Sequence, residues 1–299
     1  MDELSEALRG VIDLHTHPSP DIVPRVQTIA EARYDFTAAG FAGFVAKSHV
    51  GSTAALCSAL SGEPGAKAIG SISLNRPAGG LNPAAVEVAA LLGARVVWLP
   101  TVDSRRQRES TPKVAGTAPV WEEAQTRLAR RPGYGPPITI LDGGQVVQEL
   151  HNVLEVVKEH GMLLATGHLD CEEVFAVLQA AKDHRIGRVM VTHPDLVRQR
   201  ISLDAQIEMA RRGAWIERTM ASIMEGKLPL HDALKGIRAC GTGSTLLTGD
   251  LGQPHNGSII DGVRRWATAL QAAGFSSEEI HQLLVVNPTT ALHHRLVDR

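Results

Sequence analysis

Short apolar runs recur along the chain at 11–16, 42–48, 67–74, 94–100, 162–167, 188–192, 214–218 and 244–249. Most are rich in Val, Ile and Leu, and Gly, Pro or polar residues bound them, as for strands buried on both faces of a parallel sheet. The segments between them open with helix-start signals. Thr28-Ile29-Ala30-Glu31 reads as a capping box, as does Ser276 with Glu279. Asn82-Pro83 offers an N-cap followed by proline at the first helical position, and Asp170 and Ser202 are further N-caps. Gly40, Gly93, Gly161, Gly213, Gly241 and Gly274 fall where those helices should stop. Strand and helix therefore alternate. Eight such units predict an α/β chain closed into a (β/α)8 TIM barrel, one domain over 1–299.

One stretch breaks the rhythm. Residues 102–137 are long, polar and rich in Arg, Pro and Thr, and the short apolar run Ile138-Thr139-Ile140-Leu141 follows. We read 102–144 as an insertion after strand 4, containing a small hairpin and leading into a helix over 145–160. Loops of that length at this face act as lids or substrate-binding elements, or lie idle on the surface.

Composition narrows the function classes. With 299 residues and 43% hydrophobic content the chain can bury a large core, and 4% aromatic residues make that core mostly Ala, Val, Leu and Ile. A net charge of -2 gives no electrostatic case for nucleic acid or an anionic membrane. Three widely spaced cysteines, Cys57, Cys171 and Cys240, argue against a disulfide framework. With no apolar stretch suited to a secretion signal or a membrane helix, a cytoplasmic protein acting on a small molecule is expected. A homo-oligomer is compatible with this composition.

The chemistry sits at the ends of the runs. Val11-Ile12-Asp13-Leu14-His15-Thr16-His17-Pro18 ends a strand in two histidines spaced i, i+2, which share a face. Three later runs end in Gly167-His168, Thr192-His193 and Gly249-Asp250. In a parallel barrel all these tips lie on one face, where active sites form. Four imidazoles and a carboxylate there suit a divalent metal, zinc by default, with Mn, Fe or Co also compatible and either one or two ions. Asp250 and His193 are the expected catalytic residues, Asp250 as a proton shuttle. Its alternative role, as N-cap of a helix over 257–274, is disfavoured by the intervening Gly252-Gln253-Pro254.

These residues resemble the amidohydrolase superfamily, whose pattern is HxH after strand 1, His after strands 5 and 6, and Asp after strand 8. The resemblance covers nearly the whole chain, including Asn287-Pro288 near its end, and the details LHTHPSPD, AKSH, ATGHLD, THPD and GDLG look like one branch of it. It implies a TIM barrel, a divalent metal held by His15, His17, His168, His193 and Asp250, and hydrolysis of an amide, cyclic amide or imide, or lactone. Phosphotriester hydrolysis, a metal-dependent carboxy-lyase reaction and metal-dependent binding without turnover are the alternatives. Binuclear members carry a carboxylated Lys or a Glu after strand 4. Here strand 4 ends Val97-Trp98-Leu99-Pro100-Thr101, without such a group. Lys47, at the tip of strand 2, could supply that bridge from another strand or hold a substrate anion. His49, Asn75, Arg218 and His255 are candidate substrate contacts. Arg76, Asp103 and Glu217 are weaker ones, each equally suited to a rim salt bridge or turn.

Overall fold

A computed structural model describes residues 3–110, 120–199 and 201–292. His293 and His294, read from sequence as surface histidines, lie outside the described residues, as does the middle of the insertion. Eight parallel strands form the barrel: β1 (Ile12–Thr16), β2 (Gly43–Ala46), β3 (Lys67–Ile69, resuming as Ser71–Ser73), β4 (Val96–Trp98), β5 (Leu163–Ala165), β6 (Val189–Val191), β7 (Trp215–Thr219) and β8 (Thr245–Thr248). β1, β2 and the first half of β3 are hydrogen-bonded in that order, and the second half of β3 continues through β4, β5, β6 and β7 to β8. The ring closes where the His17 N–H donates to the Leu251 carbonyl and the Asp250 N–H donates to the His15 carbonyl, each at 2.7 Å. Gly252 permits that closure: a Cβ there would lie 1.9 Å from the His17 carbonyl oxygen.

Alternation along the strands sorts the core. Phe44, Val97, Leu164, Val191 and Ile216 face the helices. Val45, Val96, Trp98, Leu163, Ala165, Met190 and Leu246 fill the barrel interior with Ile12 and Leu14. On β1 the pairing register slips between Asp13 and Thr16. Leu14 and His15 consequently both reach the interior, Leu14 packing in the inner cluster and the His15 ring resting on Trp98 at 4.6 Å. Such a bulge re-aims a side chain without breaking the strand.

The capping boxes at Thr28, Asp170 and Ser276 are all made, each with the side chain accepting from the third helical N–H. Among the described residues the insertion after β4 shows the helices Arg105–Ser110 and Val120–Ala129, then a hairpin pairing Leu141–Asp142 with Gln145–Val146. The helix Gln148–Glu159 follows. Asp103, fully buried, fastens this excursion. It accepts from Gln125 (2.8 Å), the Tyr134 hydroxyl (2.9 Å) and the Arg76 N–H (2.9 Å). Among the described residues no helix is long and apolar enough to cross a membrane.

Candidate metal centre

The strand tips converge. His15 and His17 leave β1, Asp250 follows β8, and one ligand atom from each of the three lies within 4.8 Å of the others. The Asp250 Oδ1 is 3.1 Å from Nε2 of both histidines. His193 stands beside them, its ring 5.9 Å from His15 and 4.9 Å from His168. His193 and Asp250 both have left-handed backbones, φ +26° and +51°. A non-glycine residue held there costs about 1–3 kcal/mol, and such strain clusters at sites where side-chain direction matters.

The ring orientations are set from behind. Glu217, on β7, is fully buried among the tips. Its Oε1 accepts from His15 Nδ1 (2.9 Å) and the Thr248 hydroxyl (2.8 Å), and its Oε2 accepts from the His193 N–H (2.9 Å). A carboxylate only accepts, so the His15 proton lies on Nδ1 and Nε2 points inward as a lone pair. Gln199 does the same for His193. Its amide nitrogen donates to the Thr192 carbonyl (3.0 Å), so its Oε1 receives the His193 Nδ1 proton at 2.9 Å. Gln107 Oε1 lies 3.1 Å from His168 Nδ1. This is how metal-ligating histidines are usually oriented.

His15 Nε2 faces two groups at once, Lys47 Nζ at 2.9 Å and Asp250 Oδ1 at 3.1 Å. A lone pair against a carboxylate oxygen is unfavourable unless a cation lies between them, so this donor set fits a divalent ion. Two imidazoles and a carboxylate with space beside them are a usual catalytic zinc set. Without an ion a proton takes the cation's place: burial pushes the His15 pKa down, but the Asp250 charge brings it above the ordinary value. Burial likewise pushes Asp250 up, and the charge and hydrogen bonds of His15 and His17 more than reverse this, holding it well below the carboxylate range. Burial lowers His17, His168 and His193, keeping them neutral, the form in which an imidazole can bind a metal. Burial brings the Lys47 amine down to about 8, and its Nζ rests 4.2 Å over the Trp98 ring.

A cavity of about 340 Å³ opens above these groups. His17, Lys47, His49, His168, His193 and Asp250 line it, joined by Arg25 and, from the insertion, Trp121 and Glu122. His49 packs against His17 (4.9 Å) and Trp121 (5.5 Å). The insertion thus forms part of the cavity wall.

Three sequence candidates fall elsewhere. Arg218 points away from the interior, where it pairs with Asp195 at 2.6 Å and contacts Gln206 and Cys240. Its neighbour Glu217 holds the inward position, as strand alternation requires. Asn75 staples the loops after β2, β3 and β4: its amide donates to the His49 carbonyl and Thr101 hydroxyl, and its oxygen accepts from the Thr101 and Asp103 N–H groups. His255 has a side chain 70% exposed and does not line the cavity. The groups singled out too weakly or not at all were Glu217, Gln107, Gln199, Trp121 and Arg25. Only Glu217 had a usable signal, its place on the strand that ends beside the histidines.

Solved structures share this fold at low sequence identity. An amidohydrolase from Pseudomonas aeruginosa superposes with a TM-score of 0.62 at 12% identity, covering 97% of both chains. A 2,6-dihydroxybenzoate decarboxylase from Rhizobium gives 0.58 at 11% identity, over 95% of this chain and 98% of that one. Amidohydrolase 2 from Bifidobacterium longum subsp. infantis gives 0.53 at 13%, over 95% and 98%. These are TIM-barrel enzymes of the amidohydrolase superfamily, both hydrolases and decarboxylases. No curated protein matches the sequence. Residues 10–217, carrying the strand tips from His15 to Glu217, match a family described only as one of unknown function (DUF6282), and the chain belongs to that family.

Proposed function

We propose that this chain is a metal-dependent hydrolase of the amidohydrolase superfamily, cleaving an amide, a cyclic amide or imide, or a lactone of a small molecule. One observation carries the reading. Glu217 and Gln199 face the Nδ1 atoms of His15 and His193, which leaves the His15 Nε2 turned to Asp250 and Lys47 beneath the cavity and His193 at the cavity wall beside Asp250. A structural core has no need of buried imidazole nitrogens turned to a carboxylate, where only a proton or a metal cation can reconcile them.

The residues would divide the work as follows. His15, His17 and Asp250 would hold a divalent ion, zinc by default, with His168 and His193 completing the site or holding a second. The ion would supply Lewis acidity toward a substrate carbonyl and make water nucleophilic at neutral pH. Asp250 turns Oδ1 to the two imidazoles, and its other oxygen can take the proton of the attacking water and return it to the leaving nitrogen or oxygen. His193 borders the same space as a second proton-transfer group or a ligand. Lys47 would either, once carboxylated, help hold the metal or, protonated, neutralise negative charge that develops on the substrate. Trp121 and His49 give the substrate a flat wall.

A carboxy-lyase reaction is the second reading, supported by the fold shared with 2,6-dihydroxybenzoate decarboxylase. The test is a panel of small amides, imides, lactones and carboxylic acids incubated with zinc-loaded protein in ¹⁸O-water. Label in a ring-opened or cleaved product supports hydrolysis. Release of CO2 without label supports the lyase. Metal-dependent binding across the panel with no turnover would show a binding protein and overturn both.

A further inference from the structure

The charged groups of the cavity wall are mostly paired. Arg198 is bound to Glu122, and Lys227 to Glu225. Asp250 is turned to His15 and His17. Arg25 differs. Its side chain is only 2% exposed, yet it lines the cavity. Nε and Nη2 both donate to one oxygen of Asp21, at 2.8 and 2.6 Å. The other Asp21 oxygen accepts from the Ile22 N–H at 2.6 Å. Asp21 therefore grips one edge of the guanidinium and fixes its plane, and Nη1 has no partner among the described residues.

We propose that Arg25 anchors an oxyanion of the substrate, a carboxylate or a phosphate, through the edge that Asp21 leaves free. This rests on the reading of the cavity as the reaction site and names the class of molecule it takes. A guanidinium offers paired donors in the geometry of a carboxylate or phosphate, and its plane is already set here, so little rotamer entropy remains to be lost on binding. Its position suits the role. Arg25 lines the same cavity as His17, Lys47, His49 and Asp250. A buried cation gripped on one edge alone is incompletely compensated. An anion completes it, and the rest of the substrate then lies between Trp121 and the strand tips. The simpler role for the Asp21–Arg25 pair, a clamp within the loop after β1, predicts no preference for charge in the ligand.

Benzoate, its neutral counterpart benzamide, and phenyl phosphate are the probes, titrated calorimetrically into zinc-loaded protein. Wild type should bind benzoate or phenyl phosphate at least tenfold more tightly than benzamide, and whichever anion binds better identifies the oxyanion. Because a metal also attracts anions, the variants decide. Arg25→Met should weaken the anion at least tenfold, leaving benzamide binding and zinc content unchanged. Arg25→Lys, which keeps the charge beside Asp21 but loses the fork, should weaken it severalfold, and it carries the test alone if Arg25→Met fails to fold. Unchanged anion affinity in the folded variants, equal loss of benzoate and benzamide, or no anion binding to wild type overturns the proposal. Arg25-dependent binding in a protein that turns over nothing would keep this inference and sink the hydrolase reading.

Discussion

Replacing Glu217 by Gln tests the centre without touching a proposed ligand. The carboxylate receives three donors, His15 Nδ1 and the Thr248 hydroxyl on Oε1 and the His193 N–H on Oε2. An amide has one oxygen to offer. Turned toward His15 and Thr248, it places its NH2 against the His193 N–H, losing one bond and opposing two donors. Turned the other way, it opposes two donors on the first side and pushes the His15 proton from Nδ1 to Nε2, where a metal must bind. The first arrangement costs less, and it loosens the strained residue His193. Loss of such a supporting bond typically lowers metal affinity about 10–100-fold, or roughly 1.4–2.7 kcal/mol. The fold should survive, because the lost bond is worth about 1.5–3 kcal/mol against a typical stability of about 5–15. The assay is competition for zinc against a chromophoric chelator, with a thermal melt of the metal-free protein alongside. Zinc affinity within twofold of wild type, in a folded variant, would refute the claim that Glu217 orients the ligands.

Three further outcomes are expected. Asp250→Asn keeps size and one oxygen ligand but loses the proton acceptor, so turnover of the substrate found in the panel should fall about 10²–10⁴-fold with zinc retained; near-normal turnover would assign Asp250 to structure. Lys47→Ala should lower bound metal, with recovery on adding short carboxylates, if the lysine is a carboxylated bridge, and should raise KM at constant metal content if it is a cation for substrate; elemental analysis beside steady-state kinetics separates these, and no change in either would remove Lys47 from the site. Arg218→Met should destabilise the fold by about 3–5 kcal/mol in denaturant titrations, because it strands Asp195, while zinc affinity stays within about threefold; a selective loss of zinc would restore Arg218 to the site.

The barrel was legible because its signal is repeated. Eight apolar runs separated by capped helices all state the same pattern, and seven of the eight barrel strands lie within their runs, β7 extending one residue past its own to Thr219. The strand tips were legible for a related reason: parallel strands put every C-terminal end on one face, so His15, His17, His168, His193 and Asp250 meet wherever the intervening loops go. Phase within a strand was harder. Glu217 and Arg218 are adjacent, both charged and both fully buried, and only the pairing of β7 with its neighbours decides which one turns inward. The bulge in β1 shows that even strict alternation can slip beside the site.

Position at a tip also says nothing about which way a polar group will spend its hydrogen bonds. Asn75 ends β3 at the mouth of the barrel, as a substrate contact would. Once the chain folds, the unpaired backbone groups of the loops after β2 and β4 surround it, and it satisfies four bonds there that would otherwise go unmade. Gln107 and Gln199 face the reverse situation. Their amides carry no sequence signature, and they reach His168 and His193 only because the insertion helix and the turn after β6 lay them behind the rings. Arg25 sits in an irregular loop where no periodicity assigns a face. The proposed ligands of this barrel are therefore readable from topology, whereas Gln107, Gln199 and Arg25 lie in segments between the barrel strands, whose conformation depends on backbone bonds that only the finished fold settles.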